Sequence, residues 1–112
     1  MPRMERVNEQ LRREISGILQ RDLGDPRVSF VSITATQVSK DLRNAKVMFS
    51  LFGERFKPSD AQKALDAAKG MIRKLVGERM KMRFTPELIF IYDESLHYQH
   101  EIEERLKELN ES

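Results

Sequence analysis

The 112-residue sequence contains no cysteine. Disulfides, thiolate chemistry and cysteine-ligated zinc are excluded, and a reducing compartment suits the chain. Long apolar runs are missing as well. The longest, Leu88-Ile89-Phe90-Ile91-Tyr92, is far short of the roughly 20 residues a membrane span needs. The opening stretch MPRMERVNEQ has no apolar segment of a secretory signal, so the expectation is a cytoplasmic protein with no membrane partner. Histidine is confined to His97 and His100. No glycine-rich phosphate loop of the P-loop or dinucleotide type is present, and nucleophilic catalysis needs an activating base beside the nucleophile. An enzyme is not expected. His97, His100, Glu101 and Glu104 would share one helix face at a spacing that can hold a divalent metal. The same pattern is the ordinary look of a polar helix surface, and no cofactor or metal is assigned. Aromatics are few, six Phe and two Tyr, and several belong to strands that need a core. Unstacked single strands of nucleic acid engage aromatic platforms. A nucleic-acid partner is therefore expected to be folded and read through backbone and shape.

What the sequence has in abundance is charge. Asp, Glu, Lys and Arg make up 34% of it, and 39% is hydrophobic, enough for the core of one modest domain. The net charge of +2 hides an asymmetry. Residues 1–92 carry 18 basic and 11 acidic side chains, whereas residues 93–112 carry 2 basic and 7 acidic. A basic body points toward a polyanion, the alternative being a solvated ionic surface.

The periodicity of Met4, Val7, Leu11, Ile15, Ile18 and Leu19 predicts a helix over residues 3–23, stopped by Gly24 and Pro26. Val28 to Ser39 predicts a strand with Val31, Ile33 and Ala35 on its buried face. After the polar turn 40–44, AKVMFSLF predicts a second strand with Ala45, Val47, Phe49 and Leu51 together. Ser59 and Gln62 form a capping-box pattern for a helix from Asp60 that breaks at Gly70 and resumes to Met80. Thr85-Pro86 excludes further helix, and ELIFIY predicts a third strand. The acidic tail can form one more amphipathic helix through Tyr98, Ile102, Leu106 and Leu109. The fold class expected is α+β, in the order α-β-β-α-α-β, with helices layered on a three-stranded sheet. Residues 1–95 form the domain and 96–112 the tail.

The basic residues fall into stripes. Arg6 and Arg13 lie opposite the apolar stripe of the first helix, with Arg3, Arg12 and Arg21 on its flanks. Lys69, Arg73, Lys74, Arg79, Lys81 and Arg83 surround the second helix and its exit, with Glu78 as the one offset. Lys46, with Ser39, Lys40 and Asn44, adds a polar cluster at the hairpin. Such a density can neutralise several phosphates and gives binding that weakens steeply with salt. Gly70 and Gly77 fall on the side of the second helix away from its apolar residues. Gly70 either kinks the helix or lets a partner approach its backbone.

The element order and the short break between the paired helices resemble the type II KH fold of RNA-binding proteins, which clamps RNA at a GXXG loop. No two glycines three apart occur here; Ala68-Lys69-Gly70 stands in that place. That element resembles the bacterial ribosome-binding factor A family, whose KH-like domain has a kinked helix at Ala-X-Gly. MPRMERVNEQLRREISGILQRDLGDPRV, VSKDLRNAKVMFSLFG and RFTPELIFIYDES are similar to its first helix, hairpin and third strand, so the likeness covers residues 3–100. The resemblance implies a non-enzymatic, monomeric factor that binds the small ribosomal subunit through ribosomal RNA. It implies help in late rRNA maturation, a need that grows in the cold. Candidate RNA contacts are Arg3, Arg6, Arg13, Lys46, Lys69, Arg73, Lys74, Lys81 and Arg83, with Ala68, Lys69 and Gly70 as the hinge. The competing reading is a protein-interaction module using Met71, Met80, Met82 and Phe84 as an adaptable apolar surface.

Overall fold

The computed structural model describes residues 3–94 and Leu106. Helix α1 (Arg3–Arg21) is followed by strand β1 (Val31–Val38), strand β2 (Asn44–Leu51), helix α2 (Pro58–Arg79) and strand β3 (Glu87–Tyr92). The sheet order is β1-β2-β3. β1 and β2 form an antiparallel hairpin, and β3 lies parallel to β2 with Ala45, Val47 and Phe49 opposite Leu88, Phe90 and Tyr92. Parallel neighbours need a crossover of a dozen or more residues, and α2 supplies it. Leu11, Ile15, Ile18 and Leu19 of α1 and Ala61, Ala64, Leu65, Ile72 and Val76 of α2 join the buried faces of all three strands in one core. Gln37, Lys46 and Ile89, on the other face of the sheet, are exposed.

Several local features differ from the sequence expectation, each for a physical reason. Residues 26–30 form turns, with the Val28 N–H bonded to the Asp25 carbonyl and the Ser29 N–H to that of Pro26, so β1 begins only at Val31. Within β1 the register slips between Ile33 and Ala35. One extra residue reverses the alternation beyond it, so Ala35 is exposed and Val38 is buried. Thr36 Oγ1 donates to the Asn8 carbonyl, and Asn8 Oδ1 accepts the Val38 N–H at 2.8 Å. Helix α1 thus satisfies backbone on an edge strand that has no further strand to pair with. Asn8→Ala is expected to lower stability by about 1 kcal/mol, read as a fall in the urea midpoint with an unchanged slope.

α2 also starts two residues earlier than expected. Pro58 occupies its first turn, where a fixed φ favours helix, and the Lys57 N–H donates to the Asp60 carboxylate at 3.1 Å. Gln62, expected in the cap, instead donates its amide to the Phe90 carbonyl at 2.9 Å and ties α2 to β3. The expected pair of helices is a single helix of 22 residues running through Ala68, Lys69 and Gly70. A glycine there costs about 1 kcal/mol. Burial of Ile72 and Val76 beyond it, each about 1.5–3 kcal/mol, outweighs that cost. The observed order is therefore α-β-β-α-β, an α+β fold with both helices against one face of the sheet. The expected tail helix lies outside the described residues except for Leu106, which is helical and exposed. His97, His100, Glu101 and Glu104 lie outside them too, as does the boundary drawn after residue 95.

Candidate nucleic-acid interface

A groove of about 730 Å³ opens where the start of α1, the β1–β2 turn and the connector from α2 to β3 converge. Arg3, Arg43, Arg73, Lys81 and Arg83 line it, against the carboxylates of Asp41 and Glu87. Its apolar part includes the half-buried Met80 and Met82, which pack against the core. Phe84 stands at the same groove with 78% of its surface exposed.

Backbone geometry sets where these side chains emerge. Met80 caps α2 after Arg79, and the Met82 N–H reaches back to the Gly77 carbonyl at 3.0 Å. That bond requires a left-handed residue between them, a position usually taken by glycine, yet Lys81 occupies it with φ 52°. A non-glycine residue there costs about 1 kcal/mol. Lys81→Gly is accordingly expected to raise the thermal midpoint while weakening binding of a polyanion. A variant that gained stability and kept full affinity would show that the lysine charge is idle. The turn between β1 and β2 is held by Asp41, which accepts the Ser39 hydroxyl at 2.7 Å and the Arg43 N–H at 3.1 Å. The Ser39 hydroxyl, and then the Arg43 N–H, hold the Asp41 carboxyl below its ordinary pKa. The carboxylate is thus the favoured form, and its support of the turn is present above the ordinary carboxylate pKa and lost as pH falls below it through the lowered one. The Arg43 carbonyl accepts the Glu87 N–H at 2.8 Å, which brings the turn against the start of β3.

Arg73, predicted as an RNA contact, is engaged inside the fold. Its guanidinium donates to the carbonyls of Thr85 at 2.9 Å and Pro86 at 3.1 Å and pairs with Glu87 at 3.3 Å. Gly77, expected on the side of the helix away from its apolar residues, meets the connector there. A Cβ built there would lie 2.6 Å from Thr85 Oγ1, whereas nothing lies within 4 Å of one built at Gly70. The connector is thus fastened to α2 by Arg73 and runs close against it at Gly77. Arg73→Ala should lower stability by about 1–2 kcal/mol, a value reduced for the partial exposure of the pair. If the urea midpoint did not move, Arg73 would be a free cation after all.

The other predicted contacts are dispersed. Arg6 is exposed outside the groove, and Arg13 pairs with Glu9 at 3.3 Å. Lys69 pairs with Asp66 at 3.6 Å, and Lys74 is exposed on α2. Lys46 lines a separate depression of about 300 Å³ with Lys40, Asn44 and Ile89. Of the nine predicted cations the groove gathers Arg3, Arg73, Lys81 and Arg83, and it adds Arg43. In the sequence Arg43 is only one residue of a polar turn. Its place in the groove depends on the parallel pairing that sets the turn beside KMRFTP. The profile of the ribosome-binding factor A family matches residues 3–106. The chain belongs to the ribosome-binding factor A family. It is 45% identical over 109 residues to ribosome-binding factor A of Halothermothrix orenii, covering 97% of this chain and 89% of that one. The factor of Natranaerobius thermophilus is 42% identical over 108 residues, covering 96% and 82%. Among solved structures, the crystal structure of ribosome-binding factor A from Thermus thermophilus superposes with a TM-score of 0.71 at 28% identity, over 80% of this chain and 94% of that one. A homology model of the Thermus thermophilus factor, fitted into a cryo-EM map of a 30S complex, gives 0.65 at 29% identity, over 78% and 91%.

Proposed function

We propose that this chain is a small-ribosomal-subunit assembly factor that binds the subunit through ribosomal RNA at the groove between α1, the β1–β2 turn and the α2–β3 connector. The observation that carries this reading is the groove itself, where five cations face two carboxylates in a member of a family whose Thermus thermophilus relative has been placed in a 30S complex. Anion recognition needs clustered guanidinium and ammonium groups, and the fold holds them on four separate segments that meet. The chain acts without catalysis, as a cytoplasmic monomer of a domain at residues 1–95 and an acidic tail at 96–112. It assists late maturation of small-subunit rRNA, a role that matters most in the cold. Among the described residues no group of carboxylates and histidines is placed to hold a metal, and no helix is long and apolar enough to cross a membrane.

Co-sedimentation with small and large ribosomal subunits, titrated with salt, tests the reading. Association with the small subunit alone, weakening linearly in log affinity with log salt, is the expected result. Association insensitive to salt would favour an apolar protein contact through Met71 and Phe84, both exposed, and would remove RNA from the interface.

A further inference from the structure

Phe84 is conspicuous among the exposed apolar residues because of where it lies. Phe52, the other aromatic exposed to a similar degree among the described residues, sits in the β2–α2 loop beyond the groove. Phe84 projects at the groove itself, with the Arg83 guanidinium 5.7 Å from its ring centroid. A large aromatic left in water beside several cations gains little by itself. An aromatic face flanked by guanidinium groups is, however, the arrangement that takes a nucleobase and its phosphate together.

The backbone beneath it is fastened. Thr85 and Pro86, the next two residues, accept the Arg73 bonds, and Thr85 Oγ1 lies against Gly77. On the other side, Lys81 and Met82 are fixed by the turn that ends α2. Backbone fastened in this way is set before a ligand arrives, which lowers the cost of binding. Paired bases do not offer a free face, because each is stacked within its helix. The volume of about 730 Å³ falls in the range of sites that enclose small ligands, ample for one nucleotide.

We infer that the groove takes an unpaired nucleotide of RNA, its base stacked on Phe84 and its phosphates held by Arg3, Arg43 and Arg83. The inference rests on the proposed RNA-binding function and replaces its expected reading of folded RNA by backbone and shape with a contact to an extruded or single-stranded base. Apolar side chains of a ribosomal protein are the competing occupant of Phe84. Arg83 at the ring and the other cations lining the groove favour the nucleotide.

The test uses the full chain, a single-stranded RNA octamer containing 2-aminopurine, and the same octamer in a duplex. Wild type should bind the single strand more tightly than the duplex and quench the 2-aminopurine. Phe84→Leu, which keeps an apolar side chain but removes the ring, should weaken single-strand binding about tenfold or more and abolish the quench. Its salt slope should not change, because no charge is lost. Phe84→Trp should bind like wild type. Equal single-strand binding by Phe84→Leu, a preference for duplex, or no binding of either RNA by wild type would overturn the stacking site. Subunit co-sedimentation separates this failure from that of the wider reading. Wild type that associates with small subunits in a salt-sensitive way but shows no single-strand preference loses only the stacking site. If Phe84→Leu lost subunit association while keeping single-strand binding, Phe84 would belong to a protein contact and the inference would fall.

Discussion

Arg43→Glu combined with Arg83→Glu is expected to weaken small-subunit association by about 100-fold or more at moderate salt, with the urea midpoint nearly unchanged. Each residue is exposed. The hydrogen bonds of Arg43 in the turn come from its backbone N–H and carbonyl, which the substitution leaves in place. Arg83 contributes its guanidinium to the Phe84 ring at 5.7 Å, an exposed contact worth about 0.5–1 kcal/mol. The fold therefore tolerates the exchange. Binding does not, because two attractions to phosphate become two repulsions in a groove where the remaining cations include Arg73, already committed to Thr85, Pro86 and Glu87. The slope of log affinity against log salt should also fall by about 1.5–2, as two counterion-releasing contacts disappear. A folded double variant with wild-type affinity and slope would remove this groove from the interface. Reversing Lys69 and Arg73 instead would give an ambiguous result, since Arg73 is a brace and its loss unfolds what it holds.

That ambiguity shows where the sequence is informative and where it stops. The core stripe of α1, the two strands of the hairpin and the apolar β3 are legible because burial imposes a period, and a period can be read from residues alone. Leu11, Ile15, Ile18 and Leu19 are buried as the helical spacing requires. Ala35 escapes the pattern because a bulge depends on pairing with β2, which is not local. Basic stripes likewise point toward a kind of partner but not to a site. Arg73 and Lys74 are neighbours with the same charge. One is turned to the carbonyls of the connector and the other is exposed. Arg43 joins Arg83 only because β3 pairs parallel to β2 and draws its start to the hairpin turn. Side-chain direction at a turn and contact across a parallel pair are set by tertiary structure. Family resemblance supplies the expectation of an Ala-X-Gly break, and the described helix continues through it.

The two glycines of α2 should respond in opposite directions to the same substitution. Gly70→Ala places a methyl group where nothing lies within 4 Å, inside a continuous helix. Removing the glycine penalty should stabilise the protein by about 0.5–1 kcal/mol and leave subunit binding unchanged. Gly77→Ala places the same group 2.6 Å from Thr85 Oγ1. The threonine is short, and its backbone carbonyl is held by Arg73 at 2.9 Å, so relief has to come from moving the connector. A loss of about 1–3 kcal/mol is expected from such overpacking, together with weaker binding as Lys81, Arg83 and Phe84 shift from the groove. Thr85→Ala removes the obstructing hydroxyl, so the double variant Gly77→Ala/Thr85→Ala should recover much of both losses. Contact between the two residues makes that coupling non-additive, and a double-mutant cycle on urea midpoints measures it. Additive effects would mean that Gly77 serves α2 alone. A coupling above about 1 kcal/mol, with affinity following stability back toward wild type, would place the role of this glycine in the close approach that holds the connector against its helix.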